Sequence, residues 1–143
     1  MLKNIETKLV IFSLQITLAY IWLFAAWPKL ADSGYAAAFE KKFEGSFLMA
    51  LPGGMLPQVY FLGLLELAAG ALALVSLFKL EFLGNSLVWL RRCLGLSALT
   101  FCALGFGLTA VSDHAGKASI FFYLSGIVVA YVFTIAAAKE FGK

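Results

Sequence analysis

The sequence predicts an all-α membrane protein, an antiparallel bundle of four transmembrane helices with a short amphipathic helix in the first connection. Three observations carry this prediction. Of the 143 residues, 62% are hydrophobic and only 13% charged, whereas a soluble domain carries about 25% charged residues. Mean hydropathy is +0.93. Four apolar stretches, at 9–27, 59–78, 88–111 and 119–138, each match the roughly 20 helical residues that cross a hydrocarbon core. The length fits a single membrane domain, 1–143.

The first stretch, 9–27, holds no charge and follows the polar segment MLKNIETK. It is longer than the apolar core of a signal peptide, about 7–15 residues, and no small-x-small cleavage site follows it. It therefore reads as a span. Gln15 is its strongly polar interior residue and is expected to face another helix rather than lipid. Trp27-Pro28-Lys29 closes the span. Trp27 acts as an interface anchor, Pro28 as a stop or kink of the helix, and Lys29 as a cation whose stem reaches the headgroups.

Residues 28–57 form the longest stretch outside the spans. Tyr35, Phe39, Phe43 and Phe47 recur every four residues beside Glu40, Lys41, Lys42 and Glu44. That helical period, with an aromatic stripe and a charged flank, predicts a short helix lying on the membrane or capping the bundle. Leu51-Pro52-Gly53-Gly54 breaks it before the chain re-enters near Pro57.

The second span reads VYFLGLLELAAGALALVSLF and contains one ionisable residue, Glu66. A charge at such a depth costs about 2.5–3.5 kcal/mol on insertion scales, so Glu66 requires a partner, a bound proton or a water-filled pocket. A structural clamp and a functional site both meet that need. Lys29, just beyond the first span, is the partner the topology offers. A carboxyl and an amine roofed by aromatic residues form a candidate quinone-headgroup or proton site.

A short turn with Glu81 and Gly84-Asn85 leads to the third span, whose first turn carries Arg91-Arg92. Cys93 and Cys102 lie nine residues apart in it. On a helix that is about 180° of rotation, so they cannot pair with each other and read as small buried hydrophobes. After the polar turn Ser112–Lys117, the fourth span places Gly126, Ala130, Thr134 and Ala138 every four residues. That is a candidate stripe for close helix packing.

Four spans put seven of the eleven basic residues on the side of both termini: Lys3, Lys8, Lys79, Arg91, Arg92, Lys139 and Lys143. The positive-inside bias then favours cytoplasmic termini. The formal charge of +3 is too small and dispersed for a nucleic-acid surface. The single histidine cannot supply a haem's two axial ligands. No metal-ligand cluster, nucleophilic triad, P-loop or dinucleotide fingerprint stands in the chain, so it is not expected to be catalytic alone.

The W-P-K-L at Trp27–Leu30, a phenylalanine-rich outer segment, a proline and then G-x-x-E-L-x-x-G at Gly63–Gly70 together resemble the DoxX-like family. These are small four-helix bacterial membrane proteins grouped with MauE, the membrane protein of methylamine utilisation. Motifs carry the resemblance over about Ile11–Phe78, and hydropathy alone carries it beyond. The family's two recurrent polar positions match Lys29 and Glu66. Its members usually place a glycine before that lysine, where this chain has Ala25-Ala26-Trp27.

The resemblance implies a bacterial inner-membrane subunit or accessory protein of a quinone-linked redox complex, with a quinone as candidate cofactor and no metal or haem of its own. MauE-type members are linked to disulfide handling, but this chain has no C-x-x-C. Besides the bilayer, the expected partner is a larger membrane complex or a redox protein. The alternatives are an assembly subunit packed on a larger complex through the small-residue stripe, and a small proton- or ion-coupled transporter centred on Glu66.

Overall fold

The computed structural model describes residues 2–84 and 86–141. Five α-helices and one 3-10 turn follow in the order α1 (Leu2–Ala31), α2 (Ser33–Lys42), the 3-10 turn (Phe47–Ala50), α3 (Leu56–Phe78), α4 (Val88–Ala110) and α5 (His114–Phe141). Four of them, α1, α3, α4 and α5, are long and apolar enough to cross a membrane. The fold is a four-helix membrane bundle, and the chain is a multi-pass membrane protein. Asn85 of the predicted Gly84-Asn85 turn and Lys143 of the positive count lie outside the described residues.

The helices pack in chain order. α1 lies along α3, α3 against α4 and α4 against α5, while α1 and α5 meet only at their margins. The core forms where the first three spans converge, around Ile11, Leu18, Trp22, Ala69, Ala73, Leu90, Cys93 and Leu94. α2 and the 3-10 turn cap one end, where Phe43, Leu48 and Met55 form a smaller cluster.

Three element boundaries differ from expectation. The first span does not stop at Pro28, because α1 continues to Ala31 with Pro28 inside its last turns. An interior proline costs about 3 kcal/mol. Here Ala26 and Lys29 are buried on either side of it, so packing offsets that cost. The aromatic stripe does not form one helix: α2 ends at Lys42, Gly45 turns the chain at φ +77°, and Phe47 opens the 3-10 turn. α5 begins at His114, five residues ahead of the predicted fourth span, because Asp113 caps it by accepting from Gly116 N.

The turns after α3 and α4 are built alike. At the end of α3, Leu80 is left-handed (φ 52°), with its N–H bonded to Leu77 O and that of Glu81 to Ser76 O. At the end of α4, Ser112 is left-handed (φ 56°), with its N–H bonded to Thr109 O and that of Asp113 to Leu108 O. Both are Schellman terminations lacking the usual glycine. Each delivers a carboxylate to the start of the next helix. Glu81 accepts from Trp89 N and Leu90 N, both at 3.0 Å, and Asp113 Oδ1 accepts from Gly116 N at 2.8 Å.

Candidate functional site

The two polar residues singled out by sequence meet. Lys29 Nζ lies 2.9 Å from Glu66 Oε2, with side chains only 7% and 2% exposed. Lys29 also donates a hydrogen bond to Ala25 O at 2.9 Å, so its ammonium bridges the α1 backbone and the Glu66 carboxylate. The extension of α1 past Pro28 makes this possible, since a stop there would have left Lys29 on a loop.

The glycines of G-x-x-E-L-x-x-G set the approach. A Cβ at Gly63 would come within 3.1 Å of the Lys29 Cβ, and one at Gly70 within 3.2 Å of the Leu23 backbone nitrogen. The close approach is therefore made from the α3 side, opposite Lys29, Leu30 and Leu23, without a glycine before the lysine. Glu66 and both glycines are buried on the face of α3 that meets α1.

Above the pair, α2, the 3-10 turn, α3 and α4 enclose a chamber of about 520 Å³, within the size range of small-molecule sites. Tyr35, Phe39, Phe43, Gln58, Leu62 and Phe106 are among its walls. Phe39 and Phe43 stack at 5.6 Å with only 9° between their planes. Tyr35 joins chamber to ion pair, because its ring also lies 5.4 Å from Lys29 Nζ. Gln58, Leu62 and Glu66 follow at four-residue steps along one face of α3. Gln58 Oε1 is closed off from solvent and has no donor. Lys42 closes the rim through an ion pair with Asp113 at 3.1 Å.

The other sequence candidates lie elsewhere. Trp27 is 72% exposed on the outer surface of α1, as an interface anchor would be. Gly126, Ala130 and Thr134 do not form one packing stripe inside the bundle. Gly126 is exposed with nothing within 4 Å of a would-be Cβ, Ala130 packs on the core, and Thr134 is buried with its hydroxyl on Tyr131 O. A four-residue step advances about 40° around a helix each time, so the stripe drifts off any single contact. Of the cysteines, Cys93 is buried as expected but Cys102 is exposed. Among the described residues no group of three metal-ligating side chains comes together.

Two polar clusters escaped sequence reasoning. Gln15 Nε2 donates to Ser76 Oγ at 2.6 Å, and Ser76 Oγ to Glu81 Oε2 at 2.7 Å, so a buried relay ties α1 and α3 to the start of α4. Trp22 Nε1 donates to Ser97 Oγ at 2.8 Å, tying α1 to α4. A signal for Glu81 does exist. Leu87 stands at the α4 N-cap and offers no acceptor, so the first N–H groups need one from elsewhere.

No protein-family model, curated protein or solved structure matches this chain.

Proposed function

We propose that this protein is an accessory membrane subunit of a quinone-linked redox complex in a bacterial inner membrane, with both termini cytoplasmic. One observation carries the reading. The polar residues of W-P-K-L and G-x-x-E-L-x-x-G converge into a buried ion pair directly beneath an aromatic-lined chamber. The motif residues thus act together, as the DoxX-like resemblance implies, and the chamber suits a ring-headed membrane molecule.

A quinone would supply two-electron, two-proton redox chemistry. The chain's own part is to bind and orient. The stacked Phe39 and Phe43 rings present a flat wall. The orphaned Gln58 carbonyl would accept from a hydroxyl, and turning the amide about its last side-chain bond would instead present its NH₂ as donor to a carbonyl. Lys29 and Glu66 neutralise one another and hold α1 against α3, the helix that carries Gln58 and Leu62 on the chamber wall.

The test is purification from native membranes in mild detergent, with mass spectrometry of co-purifying proteins and of extracted quinone. A stoichiometric partner bearing a redox centre, with quinone retained, is the expected result. Gly107→Phe, whose side chain would grow from beside the Phe43 ring into the chamber, should release the quinone and spare the partner. A partner without a redox centre, or the chain alone, would overturn the reading.

A second reading, an assembly subunit packed on a larger complex, is favoured by α5. Only 11% of its most apolar window is buried, and Phe121, Phe122, Val129 and Val132 are each more than half exposed.

A further inference from the structure

The turn between α3 and α4, at the opposite end of the bundle from the chamber, holds an open-mouthed cavity of about 530 Å³. Lys79, Trp89 and Arg92 line it. Lys79 Nζ lies 5.6 Å from the Trp89 ring centroid, and the Arg92 guanidinium carbon 4.8 Å from the same centroid. Two exposed cations are thus gathered around one indole. The ion pairs among the described residues are Lys29–Glu66 and Lys42–Asp113, so neither cation has a carboxylate at ion-pair distance.

The acid on the cavity wall is committed elsewhere. Glu81 is 6% exposed and takes three donors, Ser76 Oγ, Trp89 N and Leu90 N. Its charge is directed inward to the helix start while both cations face the mouth. Arg91 plays no part, because its Nε is turned back to Leu87 O. Like charges held around one ring repel, and an anion at the mouth relieves this.

The position decides what kind of anion. α3 ends at Phe78 and α4 begins at Val88, so the cavity lies at the ends of two spans, in the headgroup layer of the bilayer. Leu80 and Val88, both on its walls, are 51% and 40% exposed and provide an apolar flank beside the cations. A phosphate with an attached acyl chain matches both surfaces, and basic cavities between spans suit such headgroups.

We propose that this cavity binds a phosphate group, carried by an anionic phospholipid, between Lys79 and Arg92 with Trp89 as its floor. The site is independent of the redox reading and needs no partner protein.

The test uses the purified full chain in detergent, with phosphatidylglycerol, phosphatidylcholine or inorganic phosphate added as probes. Native mass spectrometry counts retained lipid, and thermal unfolding follows stabilisation. One phosphatidylglycerol should be retained in preference to phosphatidylcholine. Lys79→Gln with Arg92→Gln should weaken its binding about thirtyfold, from roughly fivefold per basic residue. Lys41→Gln with Lys117→Gln, which removes the same charge elsewhere, should leave binding unchanged. Arg92→Lys alone, with Lys79 intact, should retain most of the binding.

All four residues are on the surface or part-buried, and the control pair reports any general effect of lost charge on folding. Stabilisation by inorganic phosphate, abolished by the same two substitutions, would keep the site and make a free phosphate its ligand. Equal retention of phosphatidylcholine, or equal loss in the control pair, would overturn the proposal.

Discussion

The ion pair between Lys29 and Glu66 places two charges where neither could stay alone. Removing a carboxylate or ammonium from water costs several kcal/mol even after relaxation, and only a close partner offsets it. At 2.9 Å and nearly complete burial, each residue is that partner for the other. Lys29→Met should therefore destabilise the bundle by about 3–5 kcal/mol, because Glu66 is left buried and uncompensated. Adding Glu66→Leu should recover most of that loss. Unfolding of the four chains of this cycle in mixed micelles gives the coupling directly. Strict additivity of the two single substitutions would mean that the charges do not act on one another. At this scale the sequence was informative wherever a polar residue stood alone in an apolar run. Glu66 and Gln15 were conspicuous for that reason, and Lys29 for its place at the end of the first span. Glu81, Ser76 and Ser97 were not, because small hydroxyls pass in spans and an acid in a turn is ordinary. Their roles come from partners that sequence spacing does not bring together, such as Trp22 with Ser97.

Between elements, one device is used twice: a left-handed residue ends a helix and the acid after it caps the next. Glu81 does this for α4 and Asp113 for α5. The Gly116 N–H, and after it the Lys42 ammonium, hold the Asp113 carboxyl below its ordinary range. A depressed folded value gives stability that is fully present above the ordinary carboxylate pKa and is lost as pH falls through the folded one. That window lies below about pH 4. Asp113→Asn keeps a capping oxygen but removes the charge, so its unfolding midpoint should fall below wild type by a constant amount between about pH 5 and 7. The gap should close under more acid conditions. A gap that persisted at about pH 2 would assign the effect to something other than the carboxylate charge. The four spans themselves were legible from hydropathy, but their ends were not. Pro28 reads as a stop until α3 is seen packed against the residues around it. The four-residue aromatic period reads as one helix until the left-handed Gly45 divides it.

Across the molecule, the helices form an open row more than a closed ring, because the margin between α1 and α5 is thin. Three spans share the polar fastenings described above, whereas α5 is joined mainly to α4. Hydropathy foretold four spans but not this order of intimacy, since lipid-facing and helix-facing surfaces are equally apolar. The chamber was equally hidden, because its walls come from four elements and its aromatic residues look like ordinary packing. The exposed face of α5 separates the two functional readings. Gly126 has open space around its would-be Cβ, so leucine there meets nothing within the chain. Gly126→Leu should leave the isolated protein as stable as before, or more so by up to about 1 kcal/mol, because glycine disfavours a helix interior. If a partner packs on α5 at this point, the added side chain holds the two helices apart, and the co-purifying partner should fall by about tenfold or more. Full retention of the partner, with unfolding unchanged, would place its docking face away from Gly126. The assembly reading would then lose the surface that favours it, and the chamber at the other helices would stand as the functional centre of the molecule.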